Sequence, residues 1–394
     1  MTIPLDLAAA EAAVLAAIDD ARDALVALSL DIHAHPELGL EERYASAALT
    51  GFLAARGLEV ERGTAGLETA FIARGGEMTG PRIALVAEYD ALPELGHACG
   101  HNLIGVAAVA AAVGLNAVSD CLPGQFAVVG APAEELGIGK IVLRDAGVFQ
   151  TFDAAMMFHA GMDTAVAPTF IGIQRVEYDF HGAASHAASA PEHGASALNA
   201  VRLLFGYLDA LRQHVRSDSR MSGFVINGGE ASNIVPAFSS ARLDVRSPDP
   251  AYLDVLVRRV HACAEAAALA TGTRMESRVV VRIEPLLTNA PMASLFADQL
   301  VRLGVPWQRV QADGAASTDM GSISAVLPAI HPIVQIADAP TAWHTPAFRE
   351  AAASPRGMEG MLIAAKAMAL TALHLLADPA RLRAAKDAFA ARAR

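Results

Sequence analysis

The sequence predicts an α/β protein in which a larger domain, built on a mixed, mostly parallel sheet, is interrupted by a small α+β insert of ferredoxin-like order βαββαβ. Three observations carry that reading. At 394 residues the chain exceeds one ordinary core, so two domains are expected. Between Pro81 and Ala160 short apolar runs alternate with helical stretches, the rhythm of βαβ units. After Gly172 the runs give way to strict alternation, as on strands with one wet face.

Taken in order, MTIPLDLAAAEAAVLAAI opens an amphipathic helix, and Asp6, Glu11 and the lack of a basic residue give it the wrong polarity for a secretory signal. Ile83–Ala87 and Phe126–Val129 are apolar on both sides and therefore suit a sheet covered on both faces. A helix follows Asn102, another starts near Gly139, and Ala154–Phe158 is a further strand. Ala98–Ser119 lacks Asp, Glu, Lys and Arg and approaches membrane-spanning length, but Gly100, His101, Asn102, Gly105 and Gly114 mark it as a buried helix.

In the insert Val176, Tyr178 and Phe180 alternate with Glu177, Asp179 and His181. A helix near Gly194–His214, two strands around the NGGEASN turn, a helix carrying Leu253, Leu256, Val257, Val260 and Ala264, and a strand Ser277–Ile283 complete it. From Leu286 the α/β character returns, with a buried strand Ile333–Ile336 and a terminal helix Arg349–Leu376. The expected boundaries are 1–172 and 286–394 for the larger domain and 173–285 for the insert.

Thirty Lys and Arg against forty-two Asp and Glu give a net charge of −12, which repels phosphate backbones and anionic lipid. Neither a nucleic-acid partner nor a membrane is expected. Cys99, Cys121 and Cys263 are too few and too scattered for a disulfide framework, which fits a reducing, cytoplasmic setting.

The densest chemistry lies in Glu88, Tyr89, Asp90, His97, Cys99, His101 and Asn102, with Glu134, Glu135 and His159 after later strands. In an open α/β sheet, residues just past the carboxyl ends of neighbouring strands converge on one crevice. Thiolate, imidazole and carboxylate together suit zinc or a similar divalent ion. Taken alone, Cys99 and His101 also fit an ordinary buried thiol and a capping imidazole, and His159 a hydrogen-bonded structural group. Adjacent Glu134 and Glu135 repel each other at the mouth of a buried sheet unless a cation or a proton separates them. One glutamate on a metal and the other on its water resolves the conflict: Glu135 as ligand, pointing one way, and Glu134 as base, pointing the other.

The strings HAHPELGLEE (33–42), AEYDALPELGHACGHNLIG (87–105), PAEELG (132–137), MMFHAGMDT (156–164), HGAASHAASAPEHG (181–194), SNIVPAFSSARLDVR (232–246), STDMGSIS (317–324) and WHTP (343–346) resemble those of the family-20 metallopeptidases. That family includes aminoacylases, carboxypeptidase G and plant auxin-conjugate amidohydrolases. The GHACGHN variant is similar to its aminobenzoyl-glutamate hydrolase and β-alanyl-dipeptidase branch. The resemblance implies a two-metal catalytic domain interrupted by a lid.

Carried over residue by residue, it implies Cys99, His101, Glu135, His159 and His344 as metal ligands, Glu134 as general base, and Asp90 as the carboxylate that orients a ligand. His186 resembles the family's mobile, oxyanion-stabilising histidine, and Asn233 and Arg246 its substrate-contacting lid residues. Arg246 also reads as the wet face of a strand, alternating with Leu243 and Val245. Other relatives carry His where Glu88 stands and Asp where Cys99 stands, which leaves a thiolate bridge between the metals open. His33 and His35 read as structural, His97 is undecided, and Ser317, Thr318 and Asp319 read as a helix-capping cluster before a Gly, with pocket lining as their second reading.

The expectation is a metal-dependent hydrolase that cleaves N-acyl or N-aminoacyl amino acids, with two divalent ions as cofactors: zinc or manganese first, cobalt or nickel next. The substrate is a small amide and the assembly a homodimer through the lid. The alternatives are a dipeptidase of the β-alanyl type and a metal-binding homologue without turnover.

Overall fold

The structure, a computed structural model, describes residues 6–311 and 316–393. The reading of the N-terminus at residues 1–5 lies outside the described residues. Chain contacts divide the protein into two compact units, one formed by Met1–Thr169, Leu286–Ala315 and Ser322–Arg394, the other by Phe170–Pro285 and Ala316–Gly321.

The first unit begins with helix Leu7–Asp20, whose Asp6 carboxylate accepts from the backbone N–H groups of Ala8 and Ala9. Helices Arg22–Ala34 and Arg43–Ala54 follow. The strands are β1 (Glu59–Arg62), β2 (Phe71–Gly76), β3 (Arg82–Ala87), β4 (Gln125–Gly130), β5 (Ala154–Met156) and β6 (His159–Gly161). Every residue of β4 and all of β3 after Arg82 is buried, as expected of strands covered on both faces. Between β3 and β4 runs helix His101–Asn116, buried from His101 to Leu115 and packed against both strands. Its Gly105 lies against the end of β3, where an added Cβ would come within 2.9 Å of the Glu88 carbonyl oxygen.

In the second unit β7 (Gly172–His181), helix Ala197–Leu211, β8 (Arg220–Asn227), β9 (Phe238–Ser247), helix Pro250–Thr271 and β10 (Arg274–Ile283) follow in the order βαββαβ. The strands pair antiparallel in the order β10-β7-β9-β8. Val176, Tyr178 and Phe180, with Ala241, Leu243 and Val245, form one core with Leu204 and Leu208 of the first helix and Leu253, Leu256 and Val260 of the second. The helices cover that face alone. The other face carries charge, including paired Arg175 and Asp244. The alternation after Gly172 therefore has the cause expected of it.

Back in the first unit, β11 (Ala329–Ile330) and β12 (Ile333–Gln335) complete the sheets. The main sheet has the order β1-β2-β4-β3-β5-β11, with β4-β3, β3-β5 and β5-β11 parallel and β1-β2 and β2-β4 antiparallel. The single strand expected over Ala154–Phe158 ends at Met156, and β6 pairs separately with β12. Pro332, whose carbonyl accepts from the His159 N–H, has no N–H of its own to continue the ladder.

The terminal helix expected over Arg349–Leu376 is two helices, Pro346–Ala351 and Pro355–Ala377. Ser354 starts the second by accepting from the Gly357 N–H, and Pro355 at its first position has no N–H to lose. Pro355–Ala377 is long and apolar enough to cross a membrane, but most of it is buried inside the protein. A further helix, Pro379–Ala390, was not foreseen.

Candidate metal centre

Three chain segments leave the carboxyl ends of β3, β4 and β5 and carry the chemistry. After β3 the chain turns through Glu88, Tyr89 and Asp90 and re-enters a helix at His101. Gly100 makes that entry with φ +81°, and an added Cβ there would lie 2.8 Å from the Ala160 Cβ, so only glycine fits between Cys99 and His101. After β4 the chain passes Ala133, a non-glycine residue at φ +59°, and reaches Glu134 and Glu135. His159 opens β6. His344, from beyond β12, also sits at positive φ (+61°), and its N–H donates to the Ala98 carbonyl at 3.0 Å. Left-handed backbone at two such residues costs on the order of 1–3 kcal/mol each, and such strain collects at functional sites.

One donor atom each from Cys99, His101 and His159 lies within 4.8 Å of the other two. The same limit encloses Cys99, Glu135 and His344, and again His101, Glu134 and Glu135. The five residues expected as ligands and the expected base therefore share one locus, all within the first unit. Glu134 and Glu135 do not point apart: each brings a carboxylate oxygen to 4.0 Å from His101 Nε2.

The ring nitrogens are sorted by their partners. His101 Nδ1 lies 2.9 Å from both the Asp90 carbonyl and Asp90 Oδ1, so it donates and leaves the Nε2 lone pair facing the cluster. His159 Nδ1 donates to the Ala160 carbonyl at 2.8 Å, and its Nε2 sits 3.6 Å from Cys99 Sγ. Asp90 Oδ2 accepts from the Glu135 N–H at 3.0 Å, which ties the two carboxylate-bearing loops together. His344 Nε2 stands 3.5 Å from Glu135 Oε1.

Burial and charge shape protonation. Burial alone would lower the pKa of His101, yet Glu88, then Asp90 and Cys99, raise it well above its ordinary value. Burial likewise would raise Asp90, and His101 brings it below the usual range. The surroundings thus favour positive charge beside His101 Nε2, a charge that a bound divalent cation would supply in place of a proton and so leave the lone pair for the metal. His159 is pushed by burial down to about 4, which keeps it neutral at pH 7, as a metal ligand must be. Burial raises Glu135, against the pull of His101 and His344.

Among the described residues His101 Nε2, Glu135 Oε1 and Glu88 Oε1 are buried with no hydrogen-bond partner, a costly arrangement for a polar cluster. Thiolate, imidazole and carboxylate oxygen gathered this closely, with unsatisfied buried lone pairs, fit a divalent cation.

Sequence reasoning missed Lys140. It is fully buried at the start of helix Gly139–Asp145, and its ammonium donates to Glu88 Oε2 at 2.6 Å. A lysine after a glycine-rich turn reads as surface charge. The available signal was Glu88 itself, a carboxylate ending a strand buried on both faces. His33 donates from Nε2 to the Arg349 carbonyl, and His35 bonds the Asp31 carbonyl, both structural contacts. Burial pushes His97 down to about 3, and it joins none of the close donor groups among the described residues.

The remaining expected site residues lie in the second unit. His186 is exposed, and its Nδ1 accepts from the N–H groups of Ala188 and Ser189, both at 3.2 Å. The neutral ring therefore carries its proton on Nε2 as an outward donor. Asn233 is exposed, and its carbonyl accepts from the Ala187 N–H. Arg246 is partly buried rather than a plain wet-face residue: it donates to Ser317 Oγ at 2.9 Å and lies 3.6 Å from Asp244. Thr318 Oγ1 accepts from the Met320 N–H at 3.3 Å, the capping contact expected of that cluster.

An α/β unit that gathers such donors at its strand ends, in a chain that also carries a ferredoxin-like unit, fits a metal-dependent hydrolase. Residues 171–271 match the peptidase dimerisation domain of the M20 family. The chain is 37% identical to the Xaa-Arg dipeptidase of Mus musculus over 94% of its own length and 90% of that protein. It is 30% identical to one of the subunits of the p-aminobenzoyl-glutamate hydrolase of Escherichia coli, over 93% and 92% of the two chains. Among solved structures it is similar to a dinuclear metal-binding peptidase of the M20 family from Bacillus subtilis, with a TM-score of 0.73 at 20% identity over 91% of this chain and 99% of that one. The chain belongs to the M20 family of peptidases and acts on amide bonds.

Proposed function

We propose that this enzyme hydrolyses the amide bond of N-acyl or N-aminoacyl amino acids and releases a free amino acid. The observation that carries the reading is the shared locus of Cys99, His101, Glu135, His159 and His344 with Glu134 beside it. Two divalent cations, zinc or manganese before cobalt or nickel, would be held by those five residues and would polarise the scissile carbonyl and acidify water. Glu134 takes the proton of the attacking water and returns it to the leaving nitrogen. Asp90 holds His101 in the tautomer that presents Nε2. Cys99 serves as a ligand, and no acyl-enzyme forms.

Residues 1–172 and 286–394 act as the catalytic domain and 173–285 as lid and dimerisation domain. His186 donates from Nε2 to the developing oxyanion, while Asn233 and Arg246 meet the substrate, the guanidinium suiting a carboxylate. His186→Ala is expected to lower kcat roughly 10²- to 10³-fold with an unchanged melting curve. An unaltered kcat would return the residue to the surface. The homodimer is checked by analytical ultracentrifugation, a clean monomer being the adverse result. Three free cysteines fit a cytoplasmic setting.

A second reading, a dipeptidase, is favoured by the extended identity to the mouse Xaa-Arg dipeptidase. The two are separated by assaying metal-loaded protein against N-acyl amino acids, p-aminobenzoyl-glutamate, β-alanyl dipeptides and Xaa-Arg dipeptides. Cleavage confined to substrates with a free amino terminus selects the dipeptidase. Bound metal with no cleavage across the panel sinks both readings in favour of a metal-binding protein without turnover. Chelator is expected to abolish hydrolysis reversibly, with activity restored by added divalent metal; activity that survives full metal removal argues against the metal centre.

A further inference from the structure

The segment HPELGLEE bears no part of the chemistry proposed above, yet one of its carboxylates reaches the loop that carries the base. Glu42 is fully buried. Its Oε1 accepts from the Ala133 N–H at 2.8 Å, and its Oε2 accepts from the Thr69 hydroxyl at 2.9 Å. Ala133 is the residue at φ +59° immediately before Glu134. A left-handed alanine is held only when its surroundings over-determine it.

The surroundings here are specific. Gly39 of the same segment packs on that turn so closely that an added Cβ would lie 3.0 Å from the Ala133 Cα. Thr69 is itself fixed, because its carbonyl accepts from the Tyr89 hydroxyl at 2.6 Å. On the other side of the turn, the Glu135 N–H donates to Asp90 Oδ2 at 3.0 Å. The N–H groups flanking Glu134 are thus both taken by buried carboxylates, Glu42 before it and Asp90 after it.

We infer that Glu42 is a positioning residue for Glu134: by accepting the Ala133 N–H it holds the left-handed turn that aims the base. This rests on the assignment of Glu134 as base. A side chain of similar size without an acceptor leaves the Ala133 N–H buried and unpaired, which favours a relaxed turn. A glutamine keeps an oxygen for that N–H and offers its NH₂ group to the Thr69 hydroxyl.

The test compares Glu42→Met with Glu42→Gln in the metal-loaded, full-length protein. Hydrogen–deuterium exchange of peptides spanning residues 131–137 reads the turn directly, without substrate. Exchange at least tenfold faster in Glu42→Met and close to the parent in Glu42→Gln is the expected result; parental exchange in Glu42→Met overturns the inference. With an Xaa-Arg dipeptide or p-aminobenzoyl-glutamate, Glu42→Met should lose at least tenfold in kcat with KM within threefold and metal content unchanged, and Glu42→Gln should recover most of that loss. A parental kcat in Glu42→Met, or a loss that follows metal content or melting temperature alone, also overturns it.

Should Glu42→Met fail to fold, Thr69→Val takes its place. Faster exchange over 131–137 with lower kcat then supports the clamp, and parental values for both refute it. Glu134→Gln assayed in parallel separates the two failures: parental activity there removes the base, while the exchange data still report on the turn.

Discussion

Replacing Glu134 by glutamine is expected to lower kcat by roughly 10²- to 10⁴-fold, the range general acid–base catalysis supplies, while metal content stays near that of the parent. The substitution keeps the shape of the side chain and removes its charge together with its ability to take a proton. The other close donors, Cys99, His101, Glu135, His159 and His344, remain in place to hold metal. Glu134 sits 4.0 Å from His101 Nε2, so the loss of charge is felt in the cluster, but every grouping that includes Cys99 persists without Glu134. Steady-state kinetics with metal analysis of the same preparations checks it. Parental turnover removes Glu134 as base, and loss of metal in step with loss of rate makes it a ligand instead.

The fold was legible where local pattern and burial agree. Phe126–Val129 reads as buried on both sides because it lies inside a covered sheet, and Val176, Tyr178 and Phe180 alternate because helices cover one face of theirs. The pattern failed where a short polar signal overrode a long apolar one: Ser354 and Pro355 start a new helix inside a stretch whose spacing alone runs on. In the site, Cys99 and His101 were visible by proximity and His344 only by resemblance. A histidine between Trp343 and Thr345 has no local feature that places it beside Glu135. Lys140 and Glu42 were not legible at all as partners of the site. Their contacts span 52 and 91 residues, and a charged side chain in a turn carries no mark of the distant group that buries it.

Lys140→Met is expected to destabilise the protein by roughly 3–5 kcal/mol, the cost of leaving one member of a buried ion pair without its partner. Methionine matches the apolar stem of lysine in length, so little packing is lost and the effect reports the polar contacts of the ammonium, that to Glu88 among them. Glu88 is as fully buried as Lys140, and its Oε2 has the ammonium at 2.6 Å while its Oε1 lies 3.4 Å from His101 Nε2. Without Lys140 the buried carboxylate loses its hydrogen-bonded cation and is left with His101 Nε2 at 3.4 Å, a worse arrangement than the parent's. Glu88→Gln added to Lys140→Met should recover much of the loss, because replacing both partners removes the charge that nothing balances. Urea unfolding of the three variants at one metal concentration gives the comparison, with metal analysis alongside to show whether the cluster keeps its ions. A Lys140→Met midpoint equal to the parent's would mean that Glu88 already has another compensating partner. No recovery in the double variant would place the cost outside the Lys140–Glu88 pair.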